Sequence, residues 1–114
     1  MSWVVNQGDY GITRTMTITN YDGSTKNISG DTATLYVYDQ GGDFDSSVYY
    51  QSGNVIFNRT LVVASGAGGV VQYTFASGDT NAITPQQYPA VIKLNAAGYQ
   101  ESTNKFTFIV NGVP

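Results

Sequence analysis

The feature that most constrains this chain is an alternation of apolar and polar residues with a period of two, which recurs in short stretches between residues 7 and 110. Each stretch is closed by Gly, Asn, Asp or Ser. Successive side chains of a β-strand point to opposite faces of the sheet, so the pattern places one face in a core and the other towards solvent. The chain is therefore predicted to be all-β.

Five of these stretches fix which side chains face the core. The residues predicted to point inwards are Ile12, Met16 and Ile18; Ala33, Leu35 and Val37; Val71, Tyr73 and Phe75; Tyr88, Ala90, Ile92 and Leu94; and Phe106, Phe108 and Val110. In residues 55–63 apolar side chains occupy both phases, and the choice between Phe57 with Leu61 and Ile56 with Val62 stays open.

The connections between the stretches have distinct turn chemistry. Asp22-Gly23 predicts a tight turn, and the glycine-rich residues 65–69 predict a hairpin connection. Residues 39–54 have no clear period and are interpreted as the longest loop, whereas 95–99 are interpreted as a turn. Residues 76–85 predict a crossing loop with one short helical turn. Its candidate caps are Asp79 and Thr80.

Strands at intervals of about ten residues, with turns between them, predict a single domain over residues 1–114. Its expected architecture is an antiparallel immunoglobulin-like β-sandwich of about seven to eight strands, with a flattened barrel as the alternative. In such domains a Tyr near the start of a late strand often ties a corner through its hydroxyl. Tyr88 occupies that position, and the competing interpretation is an aromatic at the core edge with a solvated hydroxyl.

Composition excludes several classes of function. The 114 residues are 41% hydrophobic and 11% charged, which is typical of a folded domain. The net charge is −3 and the five basic residues are scattered, so neither nucleic acid nor an anionic membrane surface is an expected partner. No signal peptide is recognised at the N-terminus, so the cytoplasm is the expected site of synthesis.

Few side chains of this sequence supply chemistry. His and Cys are both absent, so few side chains could serve in acid-base or nucleophilic catalysis. We therefore expect no enzymatic activity and no cofactor. Three carboxylates, Asp39, Asp43 and Asp45, are close enough in sequence to suggest Ca²⁺. Their spacing differs from that of an EF-hand and no terminal Glu follows, so no metal site is predicted.

Tyrosine is the residue type that suggests binding, since nine occur in the chain. Tyr36 and Tyr38 alternate with the predicted core residues and are expected on the outer face of their sheet. Tyr49, Tyr50 and Tyr99 are expected in loops. Exposed tyrosines suit protein interfaces and sugar stacking, but they also occur as ordinary surface residues of a sheet. The candidate interface is formed by Tyr36, Tyr38, Tyr49 and Tyr50.

Several segments in order along the chain carry a resemblance to a known family. They are Gly8-Asp9-Tyr10-Gly11, the threonine-rich strand after it, Tyr21-Asp22-Gly23-Ser24, Asn27-Ile28-Ser29-Gly30, Ala33-Thr34-Leu35-Tyr36-Val37, Gly69-Val70-Val71-Gln72-Tyr73-Thr74-Phe75, Tyr88-Pro89-Ala90-Val91-Ile92-Lys93-Leu94, and Ser102 through Phe106-Thr107-Phe108-Ile109-Val110. In these segments the chain resembles the N-terminal domain family of the baseplate upper proteins of tailed phages.

This resemblance implies a non-enzymatic structural protein of a phage or prophage virion, in a tail or baseplate, which is assembled in the host cytoplasm. The implied partners are other virion proteins, further copies of the chain, or both, so a homo-oligomer is possible. The sequence lacks the large C-terminal regions that usually follow the domain, which leaves a neck or head-decoration protein and an excised domain as alternatives. A carbohydrate-binding or host-surface adhesion module is a further alternative, based on the tyrosines.

Overall fold

A computed structural model describes residues 2–20, 22–39, 55–96, 98–102 and 105–112 of the chain. Every regular element in these ranges is a β-strand, and the part described contains no helix that could cross a membrane. The strands are β1 (Ser2–Asn6), β2 (Thr13–Thr17), β3 (Thr32–Tyr38), β4 (Val55–Thr60), β5 (Val62–Ser65), β6 (Val70–Thr74), β7 (Gln86–Ala96), β8 (Tyr99–Ser102) and β9 (Phe106–Asn111).

The strands form two sheets, and the predicted β-sandwich is confirmed. The larger sheet has the order β1-β9-β7-β3-β4, with β8 also paired to β7, and the smaller sheet has the order β2-β6-β5. The chain begins in the larger sheet with β1 and passes to the smaller sheet at β2. It returns to the larger sheet at β3, to the smaller one at β5 and to the larger one again at β7. Pairing is antiparallel except between β1 and β9, which are parallel, so the purely antiparallel expectation is wrong at this edge.

The described residues form nine strands, against about seven to eight predicted, and β1 and β8 are two that the sequence pattern did not indicate. In β1 only Trp3 and Val5 are buried, and a five-residue stretch with two inward side chains is a weak periodic signal. All four residues of β8 are exposed, so this strand has no hydrophobic period at all. Tyr99, expected in a loop, is the first residue of β8.

The core lies between the sheets and contains most of the predicted inward side chains. The completely buried residues of the larger sheet include Leu35, Ile92 and Phe108, and Val71 is their counterpart in the smaller sheet. Phe75 follows β6 and packs in the same cluster, with its ring stacked on that of Phe57. Within the predicted set, Ile12 and Tyr73 are only partly buried.

The open register of residues 55–63 is settled in favour of Phe57 and Leu61. Phe57 and Leu61 are buried, whereas Ile56 and Val62 are 40% and 58% exposed. Leu61 lies between β4 in the larger sheet and β5 in the smaller one, and its backbone N–H donates to the carbonyl of Ala33. Phe57 and Leu61 therefore share the core-facing phase, and the apolar residues of the other phase are exposed.

The turns agree with their sequence signals in two places. The carboxylate of Asp22 accepts hydrogen bonds from the backbone N–H and the hydroxyl of Ser24, and Gly23 has a φ of 90°. Residues 66–69 connect β5 to β6, as the glycine-rich stretch predicts.

The crossing loop differs from its prediction, because residues 77–82 form consecutive turns without a helix. Neither proposed cap has that role. Asp79 accepts a hydrogen bond from the N–H of Ala76, which precedes it in the chain, whereas an N-cap accepts from a residue that follows it. The hydroxyl of Thr80 is buried and accepts from the N–H of Gly8. Backbone hydrogen bonds between residues three apart close the turns, and the two side chains bond to neighbouring segments of the chain.

Candidate interaction surface and end groove

The outer face of the larger sheet carries a second, smaller hydrophobic cluster, which we call the outer patch and define as Tyr36, Tyr38, Val55 and Val91. The strand register pairs Tyr36 with Val91 and Tyr38 with Val55. Residues that alternate with the core side chains Leu35 and Val37 must point to the opposite face. The predicted position of both tyrosines on the outer face is therefore confirmed.

The burial of Tyr38 corrects the expectation that both tyrosines are exposed. Tyr38 has no exposed surface, whereas Tyr36 is partly buried. Their rings stack with centroids 6.4 Å apart, and Tyr38 clusters with Val91 and Val55. Lys93 places its Nζ 4.9 Å from the centroid of the Tyr36 ring. Large apolar neighbours on the same face bury Tyr38, so Tyr36 is the tyrosine of this pair with accessible surface.

Some of the predicted site residues cannot be compared with the structure. Tyr49 and Tyr50 of the candidate interface lie outside the described residues, as do Asp43 and Asp45 of the acidic stretch. Among the residues that the structure describes, no group of three or more acidic side chains is placed to hold a metal ion.

Two polar contacts connect β8 to the loop before β3. The hydroxyl of Tyr99 donates to Oδ2 of Asp31 at 2.5 Å, and this hydrogen bond raises the pKa of Tyr99 to about 12. Lys26 Nζ lies 2.9 Å from Oε1 of Glu101. Both pairs are largely solvent-exposed, so they orient the β7–β8 hairpin more than they stabilise the fold.

An open groove of about 470 Å³ lies at the other end of β3, where that strand finishes. Strand β4, the crossing loop and the start of β7 form its walls. The lining residues are Asp39, Ile56, Phe57, Arg59, Asp79, Ala82, Ile83, Thr84, Gln86 and Tyr88. The groove thus combines an apolar floor with charged and amide groups.

A polar network fixes one wall of this groove. Nη2 of Arg59 lies 3.0 Å from Oδ1 of Asp79, and the hydroxyl of Tyr73 donates to Oδ2 of Asp79 at 2.5 Å. The N–H of Ala76 donates to the same oxygen at 2.8 Å. The Arg59 guanidinium also lies 4.2 Å from the centroid of the Phe57 ring. Residues from β4, β6 and the crossing loop are therefore held together by one carboxylate.

The network shifts the ionisation of its members in opposite directions. Burial alone raises the pKa of Asp79, but hydrogen bonds from Tyr73 and Ala76 and the interactions with Arg59 outweigh it, and the pKa lies below its ordinary value of 3.8. Burial, followed by the hydrogen bond to Asp79, raises the pKa of Tyr73. The sequence alone gives no local signal for this arrangement, since Arg59 and Asp79 are 20 residues apart.

The opposite wall contains the predicted tyrosine corner. Tyr88 is buried, and its hydroxyl donates to the backbone carbonyl of Thr84. Burial raises the pKa of Tyr88. The corner is therefore confirmed, and the alternative of a solvated hydroxyl is wrong. The bond fixes the path of the chain as it leaves the crossing loop and enters β7.

We expect the Asp79 network to make stability depend on pH. Because the folded pKa of Asp79 is depressed, its contribution is fully present above the ordinary carboxylate pKa and is lost as the pH falls through the folded value. At pH 7, Asp79→Asn is expected to lower the free energy of unfolding by about 1–3 kcal/mol. Urea unfolding at pH 7 and at about pH 2.5 measures the difference between variant and wild type, which should shrink at the lower pH.

The matched control is Asp9→Asn, since this carboxylate forms no hydrogen bond or ion pair with the described residues. Its substitution is expected to change the unfolding free energy by less than about 0.5 kcal/mol at either pH. An Asp79→Asn penalty that is equal at the two pH values would contradict the proposed charge dependence.

Comparison with known proteins finds solved structures of similar fold, and one of them is a domain of a phage protein. No family model matches the sequence, and no curated protein matches it at a significant level. The structure is similar to the "N-terminal domain of phage TP901-1 ORF48", with a TM-score of 0.60 and 15% sequence identity. The alignment covers 95% of this chain and 82% of that chain. At 15% sequence identity, this structural similarity shows that the two proteins share a β-sandwich fold.

Proposed function

We propose that this chain is a structural component of a phage or prophage virion, in a tail or baseplate, and that it docks onto other virion proteins without catalysing a reaction. The observation that carries the proposal is the likeness of the sandwich, over 95% of this chain, to a domain of a phage protein. Composition supports it, because the sequence lacks the His and Cys side chains that serve much acid-base and nucleophilic catalysis.

The strand order supports the finer description of the sandwich as immunoglobulin-like. In immunoglobulin domains the second, fifth and fourth strands are neighbours in one sheet, and the third, sixth and seventh are neighbours in the other. The neighbours β2-β6-β5 correspond to the first group and β3-β7-β9 to the second. Strands β1 and β4 then extend the larger sheet at its two edges.

The outer patch is the docking surface that we assign to this function. Tyr36 offers a partly exposed aromatic ring with the Lys93 ammonium beside it, above the buried side chains of Tyr38 and Val91. Interface centres are enriched in aromatic residues, and such anchors contribute most of the binding energy. Because its ring stacks on Tyr38, Tyr36 loses little conformational entropy when a partner covers it.

Incorporation into particles tests the proposed function. Mass spectrometry of purified particles from the host that encodes the chain is expected to find it in a fixed ratio to the other virion proteins. The position of the protein in the particle, at the tail, baseplate, neck or head, is then seen by electron microscopy after gold labelling. Absence from particles, together with specific binding to a glycan array, would contradict the proposal and favour a carbohydrate-binding module.

A matched pair of tyrosine variants tests the docking surface. Tyr36→Ala is expected to reduce the copies per particle at least about tenfold, as loss of an interface anchor does. Tyr10→Ala is the control, because Tyr10 is 66% exposed and lies in the connection between β1 and β2. Equal incorporation of the two variants, with both folded by circular dichroism, would show that the outer patch does not dock.

A further inference from the structure

The groove at the end of β3 presents an aliphatic side chain in an unusual position. The register between β3 and β4 shifts at Val37 and Tyr38, where Phe57 and Val55 are paired and Ile56 is the extra residue. A β-bulge of this kind redirects a side chain out of the regular alternation. Ile56 is 40% exposed at the groove, while Phe57 and Ile83 form a nearly buried floor beside it.

The charges at the groove do not cancel. Arg59 and Asp79 neutralise each other at 3.0 Å, and Asp79 is largely buried. Asp39 is the remaining carboxylate of the lining, it is exposed, and no cation among the described residues forms a salt bridge with it. The groove therefore offers the carboxylate of Asp39 and the apolar side chain of Ile56. These two groups complement a ligand that has a cation next to an apolar side chain.

The walls are held in place before any ligand arrives. The Arg59–Asp79–Tyr73 network fixes one side and the Tyr88 corner fixes the other. The side-chain Nε2 of Gln7 donates to the carbonyl of Ile83 at 2.9 Å, which anchors the crossing loop from behind. A preformed site has a lower entropic cost of binding than one that must order itself.

The same lining argues against a sugar ring as the ligand of this groove. Sugar recognition relies on an accessible aromatic face, but Phe57 and Tyr88 are only 5% and 2% exposed. The Arg59 guanidinium already covers the Phe57 ring at 4.2 Å. An aliphatic side chain, in contrast, needs only the apolar surface that Ile56 provides.

From these features we propose that the end groove binds a short segment of a partner protein in which an aliphatic side chain lies next to Lys or Arg. The aliphatic side chain packs on Ile56 above the Phe57 floor, and the cation pairs with Asp39. This inference goes beyond the virion role, because it concerns a second surface that does not include the outer patch. The test of the groove proposal is therefore independent of whether the chain is found in virus particles.

A displayed library of random linear peptides of about 12 residues, selected against the purified full chain, tests the proposal. The enriched sequences are expected to share an aliphatic residue within one or two positions of Lys or Arg. A synthetic peptide with the enriched sequence is then titrated against the chain by isothermal calorimetry. Asp39→Asn and Ile56→Ser are each expected to weaken binding about tenfold, as loss of a charge-assisted contact or an apolar anchor does.

Two matched controls distinguish a loss of peptide binding at the groove from a loss that any surface substitution would cause. Asp22→Asn removes an exposed carboxylate in the loop that precedes β3, and Val62→Ser removes an exposed aliphatic side chain from the smaller sheet. Both are expected to bind the peptide like the wild type, and all four variants should retain the wild-type circular dichroism spectrum. The proposal is overturned if no sequence is enriched, if acidic peptides are enriched, or if the groove variants bind as tightly as the controls.

Discussion

Replacement of Phe108 by alanine is expected to lower the free energy of unfolding by about 3–5 kcal/mol, the range for a large aromatic removed from a close-packed core. Phe108 has no exposed surface. Its ring centroid lies 5.8 Å from that of Phe57 and 6.0 Å from that of Phe75. The side chain therefore joins β9 and β4 to the residue that follows β6, and its removal leaves a cavity that neither sheet can close.

Urea unfolding followed by tryptophan fluorescence measures this effect, since the single tryptophan, Trp3, is buried in the same core. Tyr10→Ala is the control, as Tyr10 is 66% exposed and outside the core cluster, and its substitution should cost less than about 0.5 kcal/mol. If Phe108→Ala costs no more than this control, the core between the two sheets is not packed as described.

Gly69→Ala is expected to cost more than about 3 kcal/mol, in the upper tail of single substitutions. Gly69 closes the connection between β5 and β6 with a φ of 69°, a conformation that residues with a Cβ adopt at a cost. An added Cβ would also lie 2.6 Å from the backbone carbonyl oxygens of both Ile18 and Lys26. Because both obstacles are backbone atoms, the clash can be relieved only by moving the loop that precedes β3.

Gly11→Ala distinguishes the cost of a positive φ from the cost of a clash between the added Cβ and neighbouring backbone atoms. Gly11 has a φ of 77°, but no atom lies within 4 Å of the position that its Cβ would take. The conformational cost alone is about 1–2 kcal/mol, so the same substitution is expected to be clearly milder there. Thermal and urea unfolding of the two variants side by side measure the difference. Equal destabilisation would show that close backbone approach at Gly69 contributes nothing.

The sequence predicted the strands best where one face is buried and the other is solvated. In β3 the alternation of Ala33, Leu35 and Val37 with polar or aromatic residues gave both the strand and its core face. The prediction was incomplete where that contrast is missing. The exposed β8 carries no hydrophobic signal, and the five residues of β1 are too few to establish a period.

The surfaces proposed for binding were only partly predictable. The pattern placed Tyr36 and Tyr38 on the outer face, but the burial of Tyr38 depends on neighbours from β4 and β7. The end groove had no sequence signal, because its walls come from segments far apart in the chain. Arg59 and Asp79 are individually ordinary charged residues, and only the fold makes them partners.

The sequence by itself determined the all-β class, most core-facing side chains, the Asp22-Gly23 turn and the glycine-rich hairpin, since each depends on residues that are near neighbours in the chain. Only the tertiary structure decided the parallel pairing of β1 with β9, the change of sheet at Leu61 and the replacement of the expected helical turn by contacts of Asp79 and Thr80. These depend on packing and hydrogen bonding between residues far apart in the chain, which the pattern of neighbouring residues does not encode.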